Sequence, residues 1–516
     1  MNGTLRNIVS SKLLLLWLFA GAMAYYFIDS KLPQLIDNRP SGIHQWRQTD
    51  GASMALMFHQ EGNSLFKPMI HNQLGDDGGA GGEFPITYYA AGKLYQWFGV
   101  HEWFLRIIHF SCFFLGLMVF LYYTSDFIQP KLLALFPLVL GASSPTLMYY
   151  SVSFLTDTPA VGLAMAATGL ALHALHSDRH RKGTILLSGI LFILAGLLKI
   201  SLLLPFFALI SALLFIYLFD KTKNLYNLRN ILTVFVLVLL PVAAWYIYIS
   251  SYNEAHESAY FTTKITPIWN IPKAELAIIT ERFFNDWVEV FLPSPLRWSL
   301  IASPILVVVF FRHIPRILGL STLFLTLGTL LYIPMFYIAL GDHDYYFIAF
   351  FPAIFMLITS ALIGLVNKLE NDKYRWMVFG LMSILSWQAA GASVKTIKKY
   401  YHGWFNDYNV SESYYSLDRF LTEHGIDRNQ KVFSPLDMSP NITLYLMNRK
   451  GWTQLTGIYD TDDLDAVIAK GATYAIVPDT SFYSITFLHY HITDTIGYHN
   501  EIGVYKIDFS PWWKGA

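Results

Sequence analysis

Three carboxylates, three cations and one histidine–aspartate pair stand in the segments that join the strongly apolar stretches of this sequence, where chemistry is worth looking for. The carboxylates are Asp50, Glu83 and Asp157. A carboxylate at the edge of an apolar segment can serve as a general base toward a hydroxyl. The cations are Lys199, Arg47 and Arg282, suited to an anionic group. Lys199 is the most informative, because it is the one charge in the 37 residues 183–219. An ionisable residue inside such a run is a functional hypothesis by default; the plain alternative is a lysine snorkelling at a helix turn. His343 and Asp344 offer an imidazole and a carboxylate to a divalent metal ion, although Asp342-His343-Asp344 reads equally as a polar turn. His44, Trp46 and Gln48 flank Asp50 in the sequence. Plainer readings accompany the others. Thr49-Asp50 suits a helix N-cap, Asp157 precedes Pro159 at a helix start, and Arg47 and Arg282 read as surface arginines. Glu83, Asp76 and Asp77 read as loop charges.

The elements that must position these residues are membrane helices. Of 516 residues 54% are hydrophobic and only 14% charged, against roughly 25% charged in a typical soluble domain, and the mean hydropathy is +0.39. Lys plus Arg and Asp plus Glu are equal at 36 each, so no net charge points to nucleic acid. The single cysteine, Cys112, excludes an intrachain disulfide framework. Apolar runs long enough for a ~30 Å hydrocarbon core fall at 10–28, 103–124, 132–150, 159–176, 184–198, 200–219, 231–250, 299–311, 317–340, 345–366 and 376–394, eleven in all. The stretch 183–219 as one helix would reach ~55 Å, so it must fold back, and Lys199 marks the turn.

Basic residues set the orientation. With the N-terminus inside, the inner segments carry Arg6 and Lys12, Lys131, Arg179 to Lys182, Lys221 to Arg229, Arg312 and Arg316, and Lys368 to Arg375. The outer segments are either very short or long (29–102, 251–298, 395–516). A cleaved signal peptide is an alternative reading of the first span, on the small-residue string Ala20 to Ala24. The expected organisation is a transmembrane module, residues 1–394, and an extracytoplasmic domain, residues 395–516. In the first outer loop a short interface helix is expected over Gly51–Glu61 and another over 86–98. In the last 120 residues strands are expected at Lys431–Ser434, Ala472–Val477 and Gly503–Asp508, with a helix over 462–470 that carries its acids first.

These motifs, in their order and spacing, resemble a known group: polytopic C-type glycosyltransferases that use polyprenyl-phosphate sugars, among them lipid A aminoarabinose transferases and protein O-mannosyltransferases. The resemblance covers roughly residues 10–365. An acidic motif that opens an interface helix is matched by Thr49-Asp50-Gly51-Ala52, and a Glu-x-Pro element by Glu83-Phe84-Pro85. An aromatic helix end and a following arginine are matched by Trp97-Phe98-Gly99-Val100 and Arg106. Thr156-Asp157, Leu198-Lys199, and Tyr345-Tyr346 with Pro352 match the later motifs. The chain departs from many relatives in having Gly51 where they have a second acid, and Phe84 where some have a lysine.

The resemblance implies a polytopic α-helical membrane protein of about eleven transmembrane helices with a small C-terminal extracytoplasmic α/β domain. It implies inverting transfer of a sugar from a polyprenyl-phosphate donor to a lipid-linked or surface glycan acceptor, on the outer face of the cytoplasmic membrane. Asp50 would be the base, with Asp157 and Glu83 in the catalytic set. Lys199, Arg47 and Arg282 would meet the donor phosphate, and His44, Trp46, Gln48 and Tyr345 the substrates. A divalent metal ion at His343 and Asp344 is an open cofactor expectation. Membrane lipids are the remaining partners, and nucleic acid is not one. The competing class is a flippase or transporter for a lipid-linked glycan; against it, no internal repeat or inverted symmetry relates the spans.

Overall fold

The computed structural model describes residues 11–75, 77–176, 181–219, 227–258, 260–261, 265–401, 410–478 and 483–509. Arg6, Asp76, Arg179, Lys221 and Lys223 lie outside the described residues, as does the side chain of Arg181. Among the described residues, eight helices are long and apolar enough to cross a membrane: Lys12–Asp29, Trp103–Phe127, Asp157–His176, Ile200–Phe219, Leu228–Ala255, Arg316–Met335, Asp344–Lys368 and Asp372–Tyr400. Two bent helix pairs, each a broken span or a re-entrant loop, pass the same test together: Lys131–Ala142 with Pro145–Ser151 at 86°, and Lys273–Phe291 with Ser294–Val309 at 99°. The shorter apolar helix Lys182–Leu198 answers to the remaining expected run. The two bends fall at Ser144-Pro145 and at Pro293-Ser294-Pro295, where proline removes a backbone donor and disfavours helix in the residue before it.

The long apolar stretch does fold back where its one charge sits. Lys199 is extended (φ −158°, ψ 112°) between the helix ending at Leu198 and the short turn Ile200–Leu203. The rings of Phe192 and Phe206 lie 5.3 Å apart, and a Cβ on Gly196 would meet the Leu203 side chain at 2.7 Å. Both pairs are centred on residue 199, as a hairpin of helices requires.

The described chain divides into two compact units: Met1–Asp37, Arg106–Tyr246 and Thr263–Trp404 form the first, and Asn38–Leu105, Ile247–Thr262 and Phe405–Ala516 the second. In the first, Gly116 and Gly162 let two helices touch backbone to backbone: a Cβ on Gly116 would strike the Gly162 carbonyl, and one on Gly162 the backbone of Cys112 and Phe113. Small residues at such a crossing are a usual basis of helix association in lipid. Gly162→Val is expected to destabilise the protein by about 1–3 kcal/mol, the usual cost of overpacking. Gly380→Ala, in a helix where nothing lies within 4 Å of an added Cβ, is expected to be neutral or slightly stabilising. Thermal unfolding of the two variants in one detergent checks this; equal melting temperatures would refute it.

The second unit holds a five-stranded mixed sheet: β1 (Lys431–Ser434), β2 (Gly451–Thr453), β3 (Ala472–Pro478), β4 (Ile492–His499) and β5 (Ile502–Ile507), in the order β2-β1-β3-β5-β4. β1 is parallel to β2 and β3, and β5 is antiparallel to β3 and β4. Helix Thr461–Ala469, capped by Asp460, covers a core of Phe433, Trp452, Leu464, Val477, Leu488 and Tyr505. The strands β1, β3 and β5 stand where the sequence predicts them. The strands β2 and β4 were not expected, since β2 is three residues long and β4 is largely polar and exposed. β2 is not a free edge: Gly451 N donates to His71 O, and Gln73 N to Gly451 O. The first-loop segment around Asn72 thereby extends the sheet.

Candidate active site

Asp50 stands in the second turn of helix Gln45–Gln60, not at its cap. That corrects the capping alternative and moves the start of the expected helix back from Gly51. The helix begins after His44, held in the left-handed region at φ 52°, which histidine tolerates better than most residues. Gln48 is tied to the preceding turn, its Nε2 donating to Ser41 O and Ile43 O. The helix packs closely on Ile86–Phe98, because Gly92 lies against Ala55 O.

The carboxylate of Asp50 is fully buried. Its Oδ1 accepts from Asn441 Nδ2 at 2.8 Å, and its Oδ2 accepts from Tyr260 Oη at 3.0 Å. Arg47 Nη1 lies 3.9 Å from Oδ2, but Arg47 gives its shorter contacts to Glu83, with Nη2 at 2.7 and 2.8 Å from the two oxygens. Trp46 meets the Tyr260 ring edge-on at 6.4 Å. Burial pushes the Asp50 carboxyl up to about 6, with the Arg47 charge and the Asn441 and Tyr260 hydrogen bonds pulling back toward the ionised form.

A second layer fixes this arrangement. Asn441 Oδ1 accepts from the backbone N of Asn72, and the Asn72 side chain donates to Pro440 O and Thr453 Oγ1. One turn beyond Asp50, Ser53 Oγ meets His71 Nδ1 at 2.8 Å. Burial holds that imidazole down at about 3, so it stays neutral. Asp77 pairs with His256 at 2.9 Å. Asn441 and Tyr260 were missed by sequence reasoning. They lie 391 and 210 residues from Asp50, and no spacing rule links them.

A base with a raised pKa must lose its proton before it can act. Activity that depends on Asp50 is therefore expected above about pH 6 and should fall below it. Asn441→Ala removes a donor that favours the ionised form, so the acid limb of the pH–rate profile should move to higher pH while the alkaline side stays in place. Rates measured from pH 5 to 9 check this; an unmoved acid limb would count against Asp50 as the titrating group. The same shift has a stability sign. Protonated Asp50 favours the folded state, a contribution complete below its usual 3.8 and lost as pH rises through about 6.

The remaining candidates lie in the first unit. Lys199 Nζ is 3.1 Å from Asp157 Oδ1, with the two side chains 15% and 3% exposed. The ammonium also faces the rings of Tyr345 and Tyr346 at 5.6 and 5.1 Å, a cation–π arrangement. Asp157 begins helix Asp157–His176, and Thr156 Oγ1 donates to Leu198 O, which fixes the two chain segments side by side. Arg282 pairs with Asp342 at 2.8 Å on the surface. His343 and Asp344 are engaged with tyrosines. Both oxygens of Asp344 accept tyrosine hydroxyls, His343 stacks on Tyr345 and Tyr346, and among the described residues no group of three or more His, Cys, Asp or Glu side chains gathers.

No protein-family model matches the chain, and no curated protein sequence does. Solved structures do. ArnT from Cupriavidus metallidurans in the apo state matches over 95% of this chain and 97% of its own, at TM-score 0.60 and 12% identity; its structure bound to undecaprenyl phosphate matches over the same shares at TM-score 0.58. The oligosaccharyltransferase AglB from Archaeoglobus fulgidus, in complex with an inhibitory peptide and a dolichol-phosphate, matches over 95% of this chain and 74% of its own, at TM-score 0.52 and 10% identity. The polytopic helical fold implied by the motifs is thus the fold observed, and it is shared with ArnT and AglB, with a small mixed sheet near the C-terminus.

Proposed function

We propose that this chain is an integral-membrane glycosyltransferase that moves a sugar from a polyprenyl-phosphate donor to a lipid-linked or cell-surface glycan acceptor. The observation that carries the reading is Asp50: a fully buried carboxylate, held by two donors, with its pKa raised to about 6. That is where a general base working near neutrality belongs. Undecaprenyl phosphate bound to ArnT and dolichol-phosphate bound to AglB support the donor class.

In the proposed reaction an acceptor hydroxyl gives its proton to Asp50 as its oxygen bonds to the anomeric carbon. The bond from that carbon to the phosphate oxygen breaks, and its electron pair leaves with the polyprenyl phosphate. Attack opposite the leaving group inverts the centre. Lys199 meets the charge developing on the phosphate, and Asp157 holds the ammonium in place. Glu83 holds Arg47, which keeps the ionised form of Asp50 accessible. No step is routed through a metal ion. The basic-residue pattern supports an N-terminus inside, and on that orientation the proposed reaction takes place on the outer face of the cytoplasmic membrane.

The test is turnover of a panel of radiolabelled polyprenyl-phosphate sugars by purified protein, with an acceptor-containing envelope extract. Label transferred from one donor class supports the reading. Binding of no donor by the wild type, in lipid and with acceptor present, would replace it with the transporter reading.

A further inference from the structure

We infer that Asp344 is a positioning residue for Lys199: its carboxylate pins the turn whose next two tyrosines hold the ammonium group. The inference rests on the proposed role of Lys199 at the donor phosphate.

Asp344 opens the 3-10 helix Asp344–Phe350 and is fully buried. A buried carboxylate persists only where donors replace water, and here each oxygen has one. Oδ1 accepts from Tyr150 Oη at 2.6 Å, and Oδ2 accepts from Tyr401 Oη at 2.8 Å. Such charge-assisted bonds are short and strong. Both tyrosines are held in turn. The Tyr401 ring stacks on Tyr149 at 4.1 Å, and its hydroxyl lies 3.2 Å from Thr146 Oγ1. The backbone carbonyl of Tyr150 accepts from Thr158 Oγ1 at 2.9 Å.

These contacts close a circuit. Thr158 follows Asp157, which pairs with Lys199. Lys199 faces Tyr345 and Tyr346, the two residues after Asp344, and Tyr150 touches the Tyr345 ring edge-on at 6.1 Å. One side of the ammonium is thus set by Asp157 and the other by rings whose place depends on Asp344. Without the Asp344 carboxylate the turn loses its anchor, and the rings beside the lysine lose their fixed place. Asp344 acts through Lys199 and does not itself reach the donor.

The experiment measures undecaprenyl phosphate binding by the full-length protein in nanodiscs. Asp344→Asn, Tyr150→Phe and Tyr401→Phe are each made in the wild type and in Lys199→Ala, with thermal unfolding recorded throughout. The two Tyr→Phe variants keep ring packing and guard against a folding failure of Asp344→Asn. Each change is expected to weaken binding several-fold in the wild type and to add nothing in Lys199→Ala, because the group it positions is gone. Unchanged binding in all three variants would overturn the inference while leaving the function standing. So would an equal loss in both backgrounds, the mark of a general structural role. Equal binding by wild type and Lys199→Ala would remove both the phosphate assignment and the inference.

Discussion

Asp50→Asn is expected to lose about 10²–10⁴-fold in turnover, the usual contribution of a positioned general base, while donor binding and the melting temperature stay close to wild type. The variant keeps the size and shape of the side chain. Its Oδ1 can still accept from Asn441 Nδ2. Its new amide faces Tyr260 Oη, and that hydroxyl can rotate from donating to accepting, since it is competent for both. The hydrogen-bond count around the buried group is therefore preserved, and what disappears is the capacity to take a proton. At 1.36 kcal/mol per tenfold change the loss is about 3–5 kcal/mol of transition-state stabilisation. The comparison needs turnover with a saturating donor, binding of the same donor, and the pH–rate profile of the residual activity. That profile should have lost its acid limb near pH 6. Turnover within a few-fold of wild type, or an intact acid limb, would remove Asp50 from the base role.

How far such residues could be found before the fold was in hand depended on what kind of signal placed them. Lys199 was legible because its surroundings are so uniform: one charge in 37 apolar residues has to mark a turn, and helices do meet on either side of it. Asp157, Asp50 and Glu83 were legible by type and by the motifs around them, but their partners were not. Tyr260 comes from a segment with no apolar period, and Asn441 from a turn beside β1. Only the tertiary fold brings them to Asp50. The spans were readable from length and hydropathy, whereas the 86° and 99° breaks were not, because composition averages over a bend. The polar strand β4 was hidden for the opposite reason. As the sheet's edge it is open to solvent, and its side chains do not alternate between apolar and polar. Asp344 was legible by type beside His343, but its two tyrosine partners, Tyr150 and Tyr401, were not.

Lys199→Ala carries the second large effect, and here affinity and stability have to be separated. A lysine ammonium has three donors. One is directed at Asp157, and in the proposed function the ammonium also meets the donor phosphate. A hydrogen bond to a charged group is worth about 1.5–3 kcal/mol, so loss of one such contact should weaken undecaprenyl phosphate binding roughly 10–100-fold. The same substitution leaves the Asp157 carboxylate, 3% exposed, without its lysine. Stranding one partner of a buried pair costs about 3–5 kcal/mol, and a destabilised protein can bind poorly for that reason alone. The double variant Lys199→Ala/Asp157→Asn resolves this. Neutralising the stranded carboxylate should return most of the lost thermal stability while binding stays as weak as in Lys199→Ala. Lys199→Arg, which keeps the charge in a broader, planar head, should retain more affinity than either. If the double variant recovered donor binding along with stability, Lys199 would be a structural cation balancing Asp157, and the phosphate would have to be held elsewhere.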